Sequence, residues 1–206
     1  MQGGSDALER DDLEALVKRA QEGDSRSLAA IYEQFYDRIF RYVSFKTGNP
    51  TDAEDITEDV FLRMLVSISS FKWQGNPFSS WLFRIAHNLI VDHFRKKSRQ
   101  KHMPLDETTG VVETASPDMD SELDIKLSIG KVYQAMNGLA ELQKEVITLR
   151  FAGGLSVMET ARAVGKKENA VKALQHAGIK NLRRVLVQKG AAERAMPVGS
   201  GEVADG

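Results

Sequence analysis

The amino-acid sequence predicts an all-α protein: two small helical domains joined by an acidic flexible linker, the second containing a helix-turn-helix. Apolar residues recur at helical spacing along most of the 206 residues, and no convincing period-two alternation predicts a strand. Residues 100–128 interrupt this periodicity, and their polar, acidic composition is typical of a linker. Residues 155–184 combine two amphipathic stretches with a central glycine, as a helix-turn-helix does.

Four helices are expected in a first domain at 11–99. The Gly-Asn-Pro stretch at 48–50 ends the second helix, because glycine and proline both interrupt helices. The sequence TDAE at 51–54 is typical of a capping box and opens the third helix. The Asn-Pro pair at 76–77 places a cap residue and a first-turn proline before the fourth helix.

A second domain is expected at 129–189, after the linker. Helical spacing of apolar residues predicts one helix over 129–136 and another that starts near Leu139 and ends at the glycine pair at 153–154. Residues 190–206 are rich in Gly and Ala and are expected to form a disordered tail.

The helix-turn-helix carries its own local signals. Ser156 and Glu159 are spaced as a capping box, and Gly165 lies at the turn. Val171 and Leu174 are expected to face inward from the second helix. The outward positions supply side chains that can pair with phosphates or reach base edges in a major groove: Lys167, Asn169, Lys172, Gln175, His176, Lys180, Arg183 and Arg184. An ordinary helical hairpin with a solvated basic face is the alternative.

Both tryptophans lie in or beside one loop, at 71–81, directly ahead of a helix that turns basic. Aromatic faces next to cations are what unpaired bases need, since stacking contributes about 1–3 kcal/mol per base and cations follow the phosphates. The loop therefore predicts contact with single-stranded nucleic acid. The alternative is that these aromatic residues belong to the core, which suits Trp81 better than Trp73, because Trp73 lies in a Gly/Asn/Pro loop.

The 28 Lys and Arg residues nearly balance the 29 Asp and Glu residues, and a formal net charge of -1 taken alone argues against a nucleic-acid partner. The charges are segregated, however. Acids outnumber bases 12 to 6 over 11–60 and 7 to 0 over 103–125, whereas bases outnumber acids 6 to 1 over 81–101 and 10 to 4 over 141–189. The sum therefore conceals four blocks of alternating sign.

The absence of cysteine excludes a disulfide framework, a thiol nucleophile and a Cys-ligated metal site. No apolar run approaches the roughly 20 residues that span a bilayer. The first residues lack the basic flank and apolar stretch of a signal peptide. We therefore expect a cytoplasmic protein that is not inserted into a membrane.

Four segments occur in a specific order along the chain. They are DAEDITEDVF at 52–61, WLFRIAHNLIVDHFRK at 81–96, LSVMETA at 155–161 and AVKAL at 170–174. Together they resemble the extracytoplasmic-function group of bacterial sigma factors, promoter-recognition subunits of RNA polymerase in the sigma-70 family. The resemblance covers roughly residues 16–186 and implies a DNA-binding regulator, not an enzyme, with no metal or cofactor.

The resemblance implies that core RNA polymerase and promoter DNA are partners. The helix at 52–66 would dock on the clamp helices of the largest polymerase subunit, and the flap region of the polymerase would be a second contact. The implied docking residues are Asp52, Asp55, Glu58 and Phe61. A solvated acidic helix face is the alternative.

The resemblance also implies DNA contacts. The loop at 72–80 would capture an extruded base of the minus-ten element, and the helix after it would hold the backbone as the duplex melts. The implied minus-ten contacts are Lys72, Trp73, Asn76, Phe78, Ser79, Trp81, Arg84, Asn88, Arg95 and Lys96. The helix at 168–184 would lie in the major groove of the minus-thirty-five element, with the eight outward side chains of the helix-turn-helix as contacts.

The acidic linker is similar to the segment that passes through the active-site cleft and RNA exit path of the polymerase, although a merely solubilising linker explains its composition equally well. Members of the group are commonly held inactive by an anti-sigma factor, which is therefore a further implied partner. The chain departs from the family pattern at His87 and Ala177, where Arg is frequent, and at Gly178. Glycine within a helix costs about 1 kcal/mol relative to alanine, so these departures bear on promoter affinity and specificity.

An enzyme and a conventional repressor are the alternative functions. The carboxylates at 52–59 could form a metal or acid/base site, but the four histidines lack ligand spacing, and no phosphate-binding or nucleophile motif occurs. A repressor would use only the helix-turn-helix and should bind an operator tightly on its own. A sigma factor should instead need core polymerase.

Overall fold

The computed structural model describes residues 3–73, 75–100 and 132–195, and these residues contain helices and no strand. The prediction of an all-α protein is confirmed. The elements are α1 (Gly3–Gln21), α2 (Ser25–Thr47), α3 (Pro50–Ser67), a 3₁₀ turn (Ile68–Ser70), α4 (Phe78–Gln100), a helical segment at 132–136, α5 (Glu141–Ile147), a π-helical turn (Thr148–Ala152), α6 (Val157–Val164) and α7 (Glu168–Ala195). The predicted linker at 100–128, beyond Gln100, lies outside the described residues.

Helix α2 has side-chain and backbone caps at its two ends. The Asp24 carboxylate accepts hydrogen bonds from the backbone N–H of Arg26 and Ser27 and from the Ser27 hydroxyl, at 2.6 Å from Ser27 Oγ. The hydroxyl hydrogen bond lowers the pKa of Asp24, because it favours the charged carboxylate. At the other end Gly48 adopts a left-handed conformation with φ 66°, which glycine accommodates without strain, and its N–H donates to the Ser44 carbonyl.

Helix α3 begins earlier than the sequence predicted. The expected capping box at 51–54 is replaced by Asn49, whose side chain accepts from the backbone N–H of Asp52 at 3.0 Å. Pro50 then occupies the first turn, where its missing N–H leaves no helical hydrogen bond unmade. Helix α4 begins at Phe78, directly after Pro77, whose carbonyl accepts from the Trp81 N–H at 3.2 Å.

The chain forms two compact units. The first comprises residues 1–115 with 148–171, and the second comprises 116–147 with 172–206. The first unit therefore contains α1 to α4, the π-helical turn, α6 and the first residues of α7. The boundaries of these units differ from those predicted for the two domains, 11–99 and 129–189. The assignment of separate functions to the two predicted domains stays a prediction.

The core of the first unit is formed by apolar faces of four long helices. Its largest fully buried side chains are Tyr42, Phe35, Phe78, Phe83, Ile31, Ile39, Met64, Leu82, Ile90, Leu149 and Leu155. Most of these residues lie at the helical spacing that predicted α2 to α4. Leu149 and Leu155 come from the chain after the linker, and their burial joins the π-helical turn to the first unit.

The second unit packs the residues around α5 against α7. Ala135, Met136 and Val146 are fully buried or nearly so. A Cβ added at Gly178 would lie only 2.5 Å from Ile147 Cδ1, so the glycine allows α7 to approach α5 closely. Gly178 was expected to be a weak point of the helix, but its packing gives it a structural role that offsets its low helix propensity.

Helix α7 continues to Ala195, beyond the predicted end of the second domain at residue 189. The start of the predicted tail is therefore helical, because residues 190–195 hold three alanines with Glu and Arg, all good helix formers, and the next proline comes only at 197. Residues 196–206 lie outside the described residues. In the described part of the chain, no helix is both long and apolar enough to cross a membrane.

Candidate polymerase and nucleic-acid interfaces

Helix α3 presents an acidic surface. Asp55 and Glu58 are exposed, as predicted for docking residues, and Glu54 and Asp59 are exposed beside them. Asp52 is less available to a binding partner, because its carboxylate pairs with Lys97 Nζ at 3.0 Å. In the described ranges, no cluster of three or more His, Asp or Glu side chains has the geometry of a metal site.

Phe61 lies beneath this surface, and its contact with a partner stays a prediction. Its side chain is 4% exposed, and its ring centroid lies 4.7 Å from that of Tyr32. The neighbouring rings of Tyr36 and Phe40 stack nearly parallel on α2. Burial, followed by the charges of nearby groups, raises the pKa of Tyr36.

The exposed apolar residues of α3 are ones that sequence reasoning missed. Leu62 is 59% exposed, Leu65 is 47% exposed and Val66 is 84% exposed. They follow Asp55 and Glu58 at spacings of three and four, which places them on one side of the helix. These residues lie outside the apolar stripe that forms the core, and this position could have identified them from the sequence as candidate contacts. The surface formed by Asp55, Glu58, Leu62, Leu65 and Val66 is called the α3 docking face below.

The aromatic loop is mostly part of the core. Phe71 contacts Phe78 and Trp81, with ring centroids 5.3 and 5.1 Å apart, and Phe78 is fully buried. Phe78 therefore supports the loop from below, and its contact with a base stays a prediction. Trp73 is half-buried against Phe71, with centroids 5.3 Å apart. Its buried Nε1 finds no hydrogen-bond acceptor in the described structure.

The polar loop residues have different surroundings. Lys72 and Asn76 are exposed, as expected for groups that reach nucleic acid. Ser79 is only 2% exposed, and its hydroxyl donates to the Glu159 carboxylate. No local signal pairs these two residues, which are 80 positions apart.

Helix α4 presents a basic face. Arg84, Asn88 and Arg95 are exposed at spacings of four and seven, so they lie on one side of the helix. Lys96 is exposed next to Arg95, and Arg95 Nη2 forms an exposed ion pair with Asp92 at 2.9 Å. Exposed ion pairs of this kind contribute little, so Arg95 can exchange Asp92 for a phosphate.

Helices α6 and α7 have the predicted form of a helix-turn-helix. Ser156 and Glu159 make both hydrogen bonds of a capping box, and Gly165 ends α6 in a left-handed conformation with φ 66°. Val171 is fully buried and Leu174 is half-buried, as expected for residues that face inward. A cavity at the turn is lined by Arg162, Lys166 and Lys167 together with Met158, Ala161, Glu168 and Asn169.

The predicted DNA-reading side chains of α7 are mostly exposed. Lys167, Asn169, Lys172, His176, Lys180, Arg183 and Arg184 are exposed, and Gln175 is half-buried. Spacings of three and four place 169, 172, 176, 180 and 183 along one side of the helix. The structure thus places a continuous polar and basic row where the sequence predicted one.

Two protein-family models match the chain. The model of Sigma-70 region 2 matches residues 31–100, and the model of Sigma-70 region 4 matches residues 129–182. The sigma factor SigW of Bacillus subtilis is 30% identical over 179 residues, which are 82% of this chain and 94% of SigW. The chain belongs to the extracytoplasmic-function group of RNA polymerase sigma factors.

A second relative is more similar in sequence but longer. The extracytoplasmic-function sigma factor BldN of Streptomyces coelicolor is 39% identical over 171 residues, which are 83% of this chain and 64% of BldN. This sigma factor chain therefore spans slightly less than two thirds of the length of BldN.

Solved structures show the same fold. A structure of CnrH, solved with the cytosolic domain of CnrY, superposes with a TM-score of 0.63 at 21% identity and covers 84% of this chain and 96% of CnrH. The sigma factor RpoE of Bartonella quintana, solved with the anti-sigma factor NepR, gives a TM-score of 0.58 at 20% identity and covers 77% of this chain and 96% of RpoE.

Proposed function

We propose that this sigma factor binds core RNA polymerase through α3, recognises and melts the minus-ten element through the loop before α4 and α4 itself, and reads the minus-thirty-five element through α7. The observation that carries the proposal is the order of three exposed surfaces: an acidic and apolar face on α3, a basic face on α4 and a basic row on α7. The chain acts by binding and not by catalysis, in the cytoplasm, where the polymerase works.

The α3 docking face suits the clamp helices of the polymerase. Burial of its apolar residues against a partner helix would contribute a free energy of about 25 cal/mol per Å² of apolar surface. Asp55 and Glu58 at its edge favour a basic partner and set the orientation of that partner. Phe61 holds the face in place from the core. The flap region of the polymerase is the proposed contact of the second domain.

The loop before α4 suits a single strand. Asn76 is exposed and offers both a donor and an acceptor to a base edge, and the half-buried rings of Trp73 and Trp81 offer apolar surface beside it. The basic face of α4 then follows the backbone. Each phosphate that it neutralises releases counterions, which helps to offset the few kcal/mol lost on unstacking a base.

Helix α7 suits a major groove. Its exposed row runs for about four turns from Asn169 to Arg183, and it mixes phosphate-binding Lys and Arg with His176, which can reach a base edge. A proposed anti-sigma factor would inactivate the chain by covering the docking surfaces. The sigma factor RpoE, which shares the fold, was solved in complex with the anti-sigma factor NepR, and CnrH was solved in complex with the cytosolic domain of CnrY.

Transcription in vitro tests the proposal. Purified chain and core polymerase are incubated with genomic fragments, and promoter-dependent transcripts are expected above those of core enzyme alone. Absence of such transcripts contradicts the proposal, and tight binding of the free chain to one operator favours a repressor.

Two charge-reversal variants test the docking face. Glu58→Lys is expected to weaken binding to core polymerase by tenfold or more, because it replaces a favourable charge with a repulsive one at the edge of an apolar contact. The control is Glu33→Lys, which changes another exposed glutamate, on α2. Equal affinities of the two variants for core polymerase would remove the docking face from the interface.

A further inference from the structure

Gln21, the last residue of α1, binds the chain that leads into the loop before α4 (residues 72–77). Its Nε2 donates to the Ile68 carbonyl at 2.9 Å and to the Phe71 carbonyl at 2.8 Å. Both partners are carbonyl oxygens, which only accept, so the two hydrogens of one amide group are used on two carbonyls. The residues joined in this way are 47 and 50 positions apart, and no local signal in the sequence pairs them.

The end of α1 is a fixed point from which Gln21 can act. Val17 and Ala20, in the last turns of the helix, are buried in the core of the first unit. The chain then turns at Gly23, whose φ is 89° and whose N–H donates to the Ala20 carbonyl at 3.1 Å. Asp24 caps α2 directly afterwards. Gln21 therefore reaches the turn at 68–71 from a helix end that is held on both sides.

Phe71 connects this contact to the aromatic part of the loop. Its ring centroid lies 5.3 Å from that of Trp73 and 5.1 Å from that of Trp81. The buried Nε1 of Trp73 finds no acceptor in the described structure, so ring packing and not a hydrogen bond holds this indole. The position of Trp73 therefore depends on Phe71, whose backbone is bound by Gln21.

A tight turn after Trp73 presents Asn76. The Asn76 N–H donates to the Trp73 carbonyl at 2.7 Å, and Gly75 between them has φ 73°, which glycine adopts without strain. Because the turn starts at Trp73, a shift of Trp73 moves Asn76 with it. The exposed side chains of Lys72 and Asn76 are thus placed by a series of contacts that begins at Gln21.

We propose that Gln21 is a positioning residue for strand opening: it holds the loop before α4 in the geometry that captures a base, and it acts from α1 without touching DNA. This rests on the proposed function, because it concerns the same loop. A loop that is already ordered loses less conformational freedom on binding, so more of the contact energy remains for the extruded base. Two hydrogen bonds of ordinary strength can account for an effect of about tenfold.

Two substitutions remove the donor in different ways. Gln21→Met gives an apolar side chain of similar length, and Gln21→Glu keeps the shape but presents a carboxylate, which only accepts. The controls are the same two changes at Gln34, which is exposed on α2. The two Gln21 variants should behave alike, because both lack the donor. An effect of Gln21→Glu alone would come from its charge and would overturn the proposal.

Fluorine NMR of the free full chain tests the position of the loop. The chain has two tryptophans, so labelling with 5-fluorotryptophan gives two signals, which Trp73→Phe assigns. Both Gln21 variants should move the Trp73 signal towards its position in the urea-unfolded chain and should move the Trp81 signal less, since Trp81 lies in α4. An unchanged Trp73 signal overturns the proposal. Movement of both signals to their unfolded positions would show that Gln21 supports the whole fold, which also overturns a positioning role.

Strand opening is measured on a promoter fragment that the original chain and core polymerase transcribe. The rate at which thymines become reactive to permanganate should fall about tenfold in both Gln21 variants relative to the Gln34 controls. Affinity for core polymerase should stay unchanged, because α3 is not involved. Equal opening by the Gln21 and Gln34 variants, or an equal loss of polymerase affinity, contradicts the proposal.

The two measurements separate this proposal from the proposed function. Fluorine NMR uses neither polymerase nor DNA, so it decides whether Gln21 fixes the loop whatever the chain binds. Failure of the proposed function appears instead as an absence of promoter-dependent transcripts with the original chain.

Discussion

The contact between Gly178 and Ile147 allows a quantitative test of packing in the second unit. Gly178→Ala gains about 1 kcal/mol of helix propensity in α7. The added Cβ would, however, lie 2.5 Å from Ile147 Cδ1 and 3.3 Å from Cγ1. Overpacking of this kind costs about 1–3 kcal/mol. We therefore expect a net destabilisation of about 1 kcal/mol.

A second substitution removes the cause of this loss. Ile147→Val deletes the Cδ1 atom, and alone it should cost about 0.5–1.5 kcal/mol, because Ile147 is 6% exposed. In the double variant the new Cβ at 178 fills the space that Cδ1 leaves, so one methyl group moves from α5 to α7. Stability should then return to about that of the original chain. The two substitutions should show a favourable coupling of about 2 kcal/mol.

Urea unfolding followed by far-ultraviolet circular dichroism measures these effects. Both tryptophans lie in the first unit, so their fluorescence reports that unit and serves as an internal control. The slope of free energy against urea concentration must stay constant for the midpoints to report stability. Additive effects of the two substitutions, or stabilisation by Gly178→Ala alone, would refute the packing argument.

Three further substitutions test other parts of the structure. Phe78→Ala should destabilise the first unit by about 3–5 kcal/mol, since the ring is fully buried, and an unchanged midpoint of tryptophan fluorescence in urea would contradict its core position. Lys172→Ala should reduce the slope of log affinity for promoter duplex against log salt concentration by about 0.9, whereas an unchanged slope removes Lys172 from the phosphate contacts. Asp24→Asn should keep the cap of α2 but remove its pH dependence. The lowered pKa of Asp24 means that its carboxylate stabilises the fold above the ordinary pKa of aspartate and loses this effect as pH falls through the folded value. The difference in thermal stability between the original chain and Asp24→Asn should therefore change below about pH 4, and a constant difference would show that Asp24 does not titrate at the cap.

Helical periodicity and local capping signals predict most of the fold because they depend on neighbours in sequence. The helix ends at Gly48 and Gly165 and the capping box of Ser156 and Glu159 occur at the predicted positions. Competing local signals explain the error at α3, where Asn49 forms the cap two residues before the predicted box. The extension of α7 to Ala195 has the same cause, because glycine at 190 lowers helix propensity without ending a helix that good helix formers continue.

Contacts between distant parts of the chain were outside the reach of sequence reasoning. Nothing local predicts that Arg38 would bind the carbonyls of residues 153 and 154, or that Ser79 would bind Glu159. Sequence reasoning also did not predict which aromatic side chains are buried. Phe61 lies in one of the segments that carry the resemblance and Phe78 lies just before another, and the pattern alone does not reveal that both rings are buried.

The near-zero net charge has little bearing on what this chain binds, because charges act over short distances in salt. At physiological ionic strength the screening length is about 8 Å, whereas an 18-residue helix such as α3 is about 27 Å long. The acidic surface of α3 and the basic row of α7 therefore each act through their own local field. What each surface binds is thus decided by its own local charges and not by the total charge.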